Sequence, residues 1–145
     1  MVRLFAALCV KNEMNNIKFN QIIFEAKELN PFWFEDDDEN EITTIQEINE
    51  IESFRELKYP EQYKYFISKY GAGEFAFTNI YSPKKSGEWS SWVEKEEYNL
   101  PHQFIPISDD GCGNYLGFIV LKGVCSESLY WADHEQEYEI RKNKA

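Results

Sequence analysis

The stretch that decides the fold is FIPISDDGCGNYLGFIV, residues 104–120. Its two ends carry short runs of aromatic and β-branched residues, which are typical of strands rather than helices. Between them lie Asp109-Asp110-Gly111 and Gly113-Asn114, residue types that adopt positive φ angles at little cost. The pattern therefore predicts a tight β-hairpin at the centre of a hydrophobic sheet.

The composition predicts a single globular domain. The chain has 145 residues, of which 43% are hydrophobic and 17% aromatic, so it can bury a substantial core. Cys9, Cys112 and Cys125 are widely spaced and odd in number, which disfavours a disulfide framework or a zinc site and favours a reducing, cytoplasmic compartment. Residues 1–13 hold an apolar run too short to span a bilayer, so we expect a short edge strand or an N-terminal extension there.

The charge is strongly negative and unevenly distributed. The net charge is −11, from 26 acidic and 15 basic residues, which disfavours nucleic acid as a partner and permits a basic protein. Residues 30–61 contain eleven acidic and two basic residues, a local net charge of −9. The acidic run from Glu35 to Glu41 is predicted to be a surface loop beside Phe32-Trp33-Phe34. It either recruits a basic partner or keeps the protein soluble.

Helical patterns fill the first half of the chain. Residues 18–29 carry an apolar stripe that ends at Asn30-Pro31. Thr44 and Glu47 have the spacing of a capping box, and apolar residues at every third position follow. That spacing predicts a short second helix that is contacted on more than one side or bends near Phe54. A third helix is predicted after Pro60, and its buried face consists of Tyr63, Phe66, Ile67 and Tyr70.

The second half alternates strands with one short helix. Residues 74–81 and 124–131 are each predicted to be a strand, and residues 136–145 a polar tail that frays or forms a terminal helix. A short amphipathic helix is predicted to contain Trp89, Trp92 and the charged residues up to Glu97. The two tryptophans either belong to the core or include an exposed binding anchor, because tryptophan is enriched at interface hot spots.

Three motifs occur in a characteristic order: YPEQYKYFISKYGAGEF at residues 59–75, FIPISDDGCGNY at residues 104–115 and YWADHE at residues 130–135. In this order they resemble the SUKH superfamily, the cell-wall-assembly-regulator type. The resemblance covers roughly residues 40–135. Tyr59 departs from the leucine usual before the proline, and Asn114 replaces the second aspartate of the glycine turn, so a role that needs a carboxylate there is in doubt. The resemblance implies a single α+β domain over residues 1–145, with a central antiparallel sheet flanked by helices.

Catalytic interpretations have weaker support in the sequence. Asp109 and Asp110 are paired carboxylates, but the residues after them lack the ligand spacing of a calcium loop, and aspartate before glycine is typical of turns. Cys112, Asp133 and His134 include the residue types of a cysteine hydrolase without a local signature. We therefore expect no metal, no cofactor and no enzymatic activity.

The resemblance implies binding of another protein. Many bacterial members are thought to be immunity proteins that neutralise a toxin, often a nuclease, and fungal members are linked to regulation of cell-wall synthesis. We expect a cytoplasmic antitoxin, monomeric or weakly dimeric, that has no nucleic-acid or membrane partner and covers a basic toxin. The alternative is a non-catalytic regulatory or scaffolding domain. The residues expected to bind the partner are Asp36, Asp37, Asp38, Glu39, Trp89, Trp92, Glu94, Asp109 and Asp110.

Overall fold

The computed structural model describes residues 16–35, 39–75 and 78–143. The four α-helices in these ranges are α1 Asn16–Leu29, α2 Ile45–Arg55, α3 Glu61–Lys69 and α4 Ser91–Glu97, and short 3-10 helices span Pro31–Phe34 and His134–Gln136. The seven strands are β1 Gly73–Phe75, β2 Thr78–Ile80, β3 Phe104–Asp109, β4 Tyr115–Leu121, β5 Val124–Cys125, β6 Tyr130–Asp133 and β7 Glu139–Lys142. No helix in these ranges has both the length and the apolar composition needed to cross a membrane.

The strands form one antiparallel sheet in the order β1-β2-β3-β4-β6-β7, with β5 paired to β4. Strands β3 and β4 are the predicted central hairpin, and the pairs run from Phe104 opposite Ile119 to Asp109 opposite Tyr115. Gly111 and Gly113 in its turn have φ angles of 73° and 96°, as the turn chemistry requires. The predicted α+β class with a central antiparallel sheet is confirmed.

The two faces of the sheet bury different clusters. On one face, Ile105 and Ile107 of β3 pack with helices α1, α2 and α3 in the larger cluster. On the other face, Phe104 and Tyr115 pack with Tyr81, Leu100 and Ala132 in a smaller cluster. Helix α4 lies against β3, where the buried hydroxyl of Ser91 donates to the Pro106 carbonyl. This alternation follows from the two-residue period of side chains along a strand.

Helix α3 has the predicted buried face. Tyr63, Phe66 and Ile67 are buried, and Tyr70 is half-buried in the same cluster. The ring of Phe66 lies 5.2–5.9 Å from the rings of Phe19, Tyr70 and Phe75. The interlocked rings attach α1 and α3 to strand β1.

Helix α2 begins as predicted but packs differently. Thr44 and Glu47 form both bonds of the capping box. Of the two alternatives expected for this helix, contact on more than one side is wrong, because Ile45 and Phe54 are 46% and 75% exposed, and the bend near Phe54 stays a prediction. The buried pair is instead Ile48 and Glu52, which lie four residues apart on one face.

Three other predictions needed correction. Within residues 74–81 there are two antiparallel strands, β1 and β2, instead of one, and residues 76–77 lie outside the described residues. Residues 124–131 are divided between β5 and the start of β6. The chain turns at Ser126, whose amide donates to the Ile119 carbonyl and whose hydroxyl oxygen accepts from the Ile119 amide. The polar tail contains strand β7, which pairs with β6 and rests Ile140 on the smaller cluster. The predicted extension, residues 1–13, lies outside the described residues.

Candidate partner-binding surface

A loop of nine residues, Ser82 to Ser90, contains Trp89 and lies beside Glu39 and Trp92, three of the nine expected binding residues. Its ends are joined by backbone bonds from the Ser82 amide to the Trp89 carbonyl, 2.7 Å, and from the Ser91 amide to the Ser82 carbonyl, 3.0 Å. Ser90 then caps helix α4 by accepting a bond from the Val93 amide. Trp89 therefore precedes the helix, and the prediction that it lies on the helix is wrong.

On one side of this loop is a recess of about 360 Å³, the acidic cleft, lined by Glu39, Asn40, Gly73, Glu74, Glu88 and Trp89. One wall of the cleft is the segment that contains Glu39 and Asn40. Two backbone hydrogen bonds of 2.8 Å between Glu41 and Ala72 hold this segment against the start of β1. Asn40 donates from its side chain to the Glu74 carbonyl at 3.2 Å, which fixes that wall further. The cleft thus joins three segments that are far apart in the sequence.

The carboxylates of the acidic cleft are available to a partner. Glu39, Glu74 and Glu88 are exposed, and none of the three has an ion pair within the described ranges. Trp89 is half-buried and packs on both core clusters, so its ring is held rigidly at the wall. The cleft unites two of the expected binding residues, Glu39 and Trp89, with two that the sequence did not single out.

Glu94 and Asp109 meet in a different place, beneath helix α4. The Tyr115 hydroxyl donates to Glu94 at 2.6 Å, and the Tyr81 hydroxyl bonds to Asp109 and lies 3.3 Å from Glu94. Burial, and then hydrogen bonding to these carboxylates, raises the pKa of both phenols above their usual value, so they stay protonated as donors. These two carboxylates therefore hold α4 to the sheet.

Asp110 is engaged within the glycine turn. Its carboxylate accepts the Cys112 amide at 2.8 Å, the Asn114 amide at 3.2 Å and the Asn114 side-chain amide at 2.8 Å. The Asn114 side-chain oxygen accepts from the His134 amide and lies 2.7 Å from the His134 ring nitrogen Nδ1. The bond from the Asn114 side-chain amide to Asp110 needs an N–H donor, which an ionised aspartate at position 114 would lack.

Trp92 lies on the other side of the loop. Its indole N–H donates to the Pro83 carbonyl at 3.0 Å, and the Arg55 guanidinium stacks on its ring at 4.0 Å. Like Trp89 it is half-buried, so each tryptophan rests on the core while staying close to solvent. Sequence reasoning overlooked Arg55, because nothing around it in the chain shows that it reaches Trp92.

Asp36, Asp37 and Asp38 lie outside the described residues. Within the described ranges, no group of three or more histidine, cysteine, aspartate or glutamate side chains is arranged to hold a metal ion.

Residues 45–144 match the protein-family model SUKH_6, described as SMI1-KNR4 cell-wall. The match begins at the first residue of α2 and includes the loop from Ser82 to Ser90 and every strand of the described sheet, but not Glu39 and Asn40 of the acidic cleft. No curated protein and no solved structure matches the chain. Because the family model covers more than half of the sequence, the chain belongs to the SUKH family of the SMI1-KNR4 cell-wall type.

Proposed function

We propose that this protein is a bacterial immunity protein that binds one cognate toxin, a basic protein such as a nuclease, through the acidic cleft. Family membership supports a protein-binding role of the immunity or regulator type in general. The observation that carries the finer proposal is the convergence of Glu39, Glu74 and Glu88 beside Trp89 without basic partners in the described parts of the chain.

The cleft suits a basic side chain for an electrostatic reason. Carboxylates that share a recess repel one another, and this repulsion opposes folding. The low-dielectric walls of the recess also concentrate the negative potential within it. A lysine or arginine placed there relieves the repulsion, and a rigid tryptophan beside it supplies apolar contact area. On a nuclease, the same basic residues would otherwise hold the phosphates of the substrate, so occupying them inhibits the toxin without any catalysis by this protein.

Asp36, Asp37 and Asp38 belong to the same proposal through chain proximity. They immediately precede Glu39 in the sequence, and successive Cα atoms lie about 3.8 Å apart, so we expect them to add to the field of the cleft. That field decays over about 8 Å at physiological ionic strength, and its main effect is to speed the encounter with a basic partner.

The test combines protection with binding. The toxin encoded beside this gene is expressed with and without the protein, and the purified pair is titrated by calorimetry. The expected results are survival of the cells and a one-to-one complex. Glu39→Gln, Glu74→Gln and Glu88→Gln together should weaken the complex at least about tenfold, since three charge-assisted contacts are lost.

A matched variant keeps the change in net charge equal. Glu28→Gln, Glu127→Gln and Glu135→Gln alter three exposed acids that do not line the cleft and should leave the affinity within about twofold. Equal losses for the two triple variants would contradict the cleft as the binding site. Binding of a host protein instead of the toxin, without protection, would favour the alternative, a regulatory or scaffolding domain as the cell-wall description of the family suggests.

A further inference from the structure

A second recess lies on the opposite side of the loop from the acidic cleft. This recess, the α2 groove, has a volume of about 400 Å³ and lies between the second half of α2 and residues 83–86. Its lining is Glu47, Glu50, Ile51, Phe54, Arg55, Pro83, Lys84, Lys85 and Ser86. The volume falls in the range of sites that hold a few side chains of a ligand or peptide.

Most charges around the α2 groove are already engaged. Glu47 is held in the capping box of α2, and Glu50 accepts from the Gln46 side chain at 3.4 Å. The Lys84 ammonium pairs with Glu41 at 2.9 Å. The remaining charges are Arg55 and Lys85, for which the described residues supply no hydrogen-bond acceptor or ion pair. Glu47 and Glu50 bond to neutral groups and keep their negative charge, so what sets Arg55 and Lys85 apart is that each is a cation without an acceptor within the described residues.

Arg55 is held in one orientation. Its guanidinium lies 4.0 Å from the centre of the Trp92 ring and 5.4 Å from that of Phe54. Trp92 is itself fixed by its bond to the Pro83 carbonyl. A guanidinium that is stacked on one face directs its N–H donors outward in the plane, the arrangement that binds a carboxylate through two parallel bonds. Because the side chain is already ordered, little entropy is lost when the carboxylate binds.

The groove also offers an apolar surface. Phe54 is 75% exposed at the end of α2, and Ile51 and Pro83 lie beside it. A large exposed aromatic ring next to a fixed arginine is a combination found at interface hot spots. It matches a partner segment in which a large apolar side chain is followed or preceded by a carboxylate.

We propose that the α2 groove binds an acidic segment of a partner protein, with an apolar side chain against Phe54 and an aspartate or glutamate carboxylate on Arg55. Arg55 singles out this occupant, because its ordered guanidinium has N–H donors without an acceptor among the described residues, and a carboxylate supplies two acceptor oxygens. A polyanion such as nucleic acid would meet repulsion from the net charge of −11, whereas a short peptide places only one or two charges near the protein. The proposal is independent of the acidic cleft, whose expected ligands are basic.

The probes are two capped peptides, acetyl-Glu-Leu-Phe-Glu-amide and acetyl-Gln-Leu-Phe-Gln-amide, titrated into the full-length, ¹⁵N-labelled protein. The glutamate peptide should bind at least about tenfold more tightly than the glutamine peptide. Its binding should shift the indole N–H signal of Trp92 and the side-chain Nε–H signal of Arg55. Trp89 serves as the internal reference, since its signal should stay in place.

The decisive variant is Arg55→Lys, which keeps the charge but removes the planar pair of donors and the stacking on Trp92. It should lower the affinity for the glutamate peptide about tenfold, whereas Lys85→Gln should lower it about twofold to threefold through charge alone. Circular dichroism confirms that both variants fold. Lys142→Gln, an exposed lysine on β7, is the control and should bind as the wild type does.

Three outcomes would overturn the proposal. One is equal affinity for the two peptides, or no binding of either at millimolar concentration. Another is wild-type affinity in Arg55→Lys, which would leave the guanidinium without a role. The third is a concentration-dependent dimer in sedimentation that shifts the Trp92 signal without peptide, because a second copy of the chain would then be the occupant.

Discussion

Glu52 is buried between helices α2 and α3, and its removal should destabilise the protein more than most single substitutions. The Glu52 side chain is 1% exposed and lies 2.9 Å from the Lys64 ammonium, whose side chain is 11% exposed. The other carboxylate oxygen accepts the Tyr59 amide at 2.8 Å, in the link between the two helices. Removing one partner of a buried ion pair costs about 3–5 kcal/mol, since the other charge remains in a poorly solvated site.

Glu52→Ala should therefore lower the free energy of unfolding by about 3–5 kcal/mol, measured by urea denaturation with circular dichroism. Lys64→Met should cost a similar amount, because it leaves the Glu52 carboxylate buried without its cation, although the bond from the Tyr59 amide stays in place. The double variant Glu52→Leu, Lys64→Met should recover most of the lost free energy of unfolding, because no charge is left buried. A cost of about 1–3 kcal/mol should remain, since the buried Tyr59 amide loses its hydrogen-bond acceptor. If Glu52→Ala cost less than about 1 kcal/mol, or if the two losses simply added, the buried pair would not be what joins the helices.

Further predictions concern the core, the glycine turn and pH. Phe66→Ala should cost about 3–5 kcal/mol in urea denaturation, because the cavity would open within a cluster of four rings. Gly111→Ala should cost about 1 kcal/mol for its positive φ angle alone, and Gly113→Ala more, since its new Cβ would lie 3.1 Å from the His134 ring; thermal unfolding ranks the two. Burial lowers the pKa of Lys95 to about 8, so the unfolded state binds more protons between pH 8 and 10.5 and stability should rise with pH there. Melting temperatures from pH 8 to 9.5 should rise more steeply in the wild type than in Lys95→Met, and equal slopes would contradict that lowered pKa.

Local chemistry accounts for the elements that the sequence could predict. The capping box from Thr44 to Glu47 and the glycine turn between β3 and β4 each need only a few adjacent residues, and the structure contains them as expected. The stripe of α3 is equally local, because Tyr63, Phe66 and Ile67 fall on one helical face whatever lies opposite. In such cases the backbone conformation depends on residues within one or two turns of each other.

The two elements that were missed have different causes, a distant partner strand for β7 and local capping for α4. Strand β7 contains one large apolar residue, Ile140, and becomes a strand only because β6 is there to pair with it. The start of α4 had a local signal, since Ser90-Ser91 can cap a helix, but the spacing of Trp89 and Trp92 suggested an earlier start. Tertiary pairing overrode the local pattern in the first case, and capping chemistry outweighed the apolar spacing in the second.

The candidate sites show the same difference between features set by local sequence and features set by distant contacts. Glu39 and Trp89 were expected to bind a partner on grounds of charge and residue type, and that remains a proposal. Glu74 and Glu88 joined them only through the β1–β2 hairpin and the loop after it. No pattern in one sequence brings together three segments separated by tens of residues, so the shape of the acidic cleft required the structure.

The two proposed binding surfaces are adjacent, and one ion pair lies between them. Lys84 lines the α2 groove, and its partner Glu41 follows Asn40, which lines the acidic cleft. Because the ammonium neutralises the carboxylate, neither charge contributes fully to the field of its own surface. Replacing Lys84 would free a carboxylate beside the cleft and remove a cation from the groove, which favours a basic ligand on one side and disfavours an acidic ligand on the other. The loop from Ser82 to Ser90 is therefore the place where a single charge change acts on both surfaces in opposite directions.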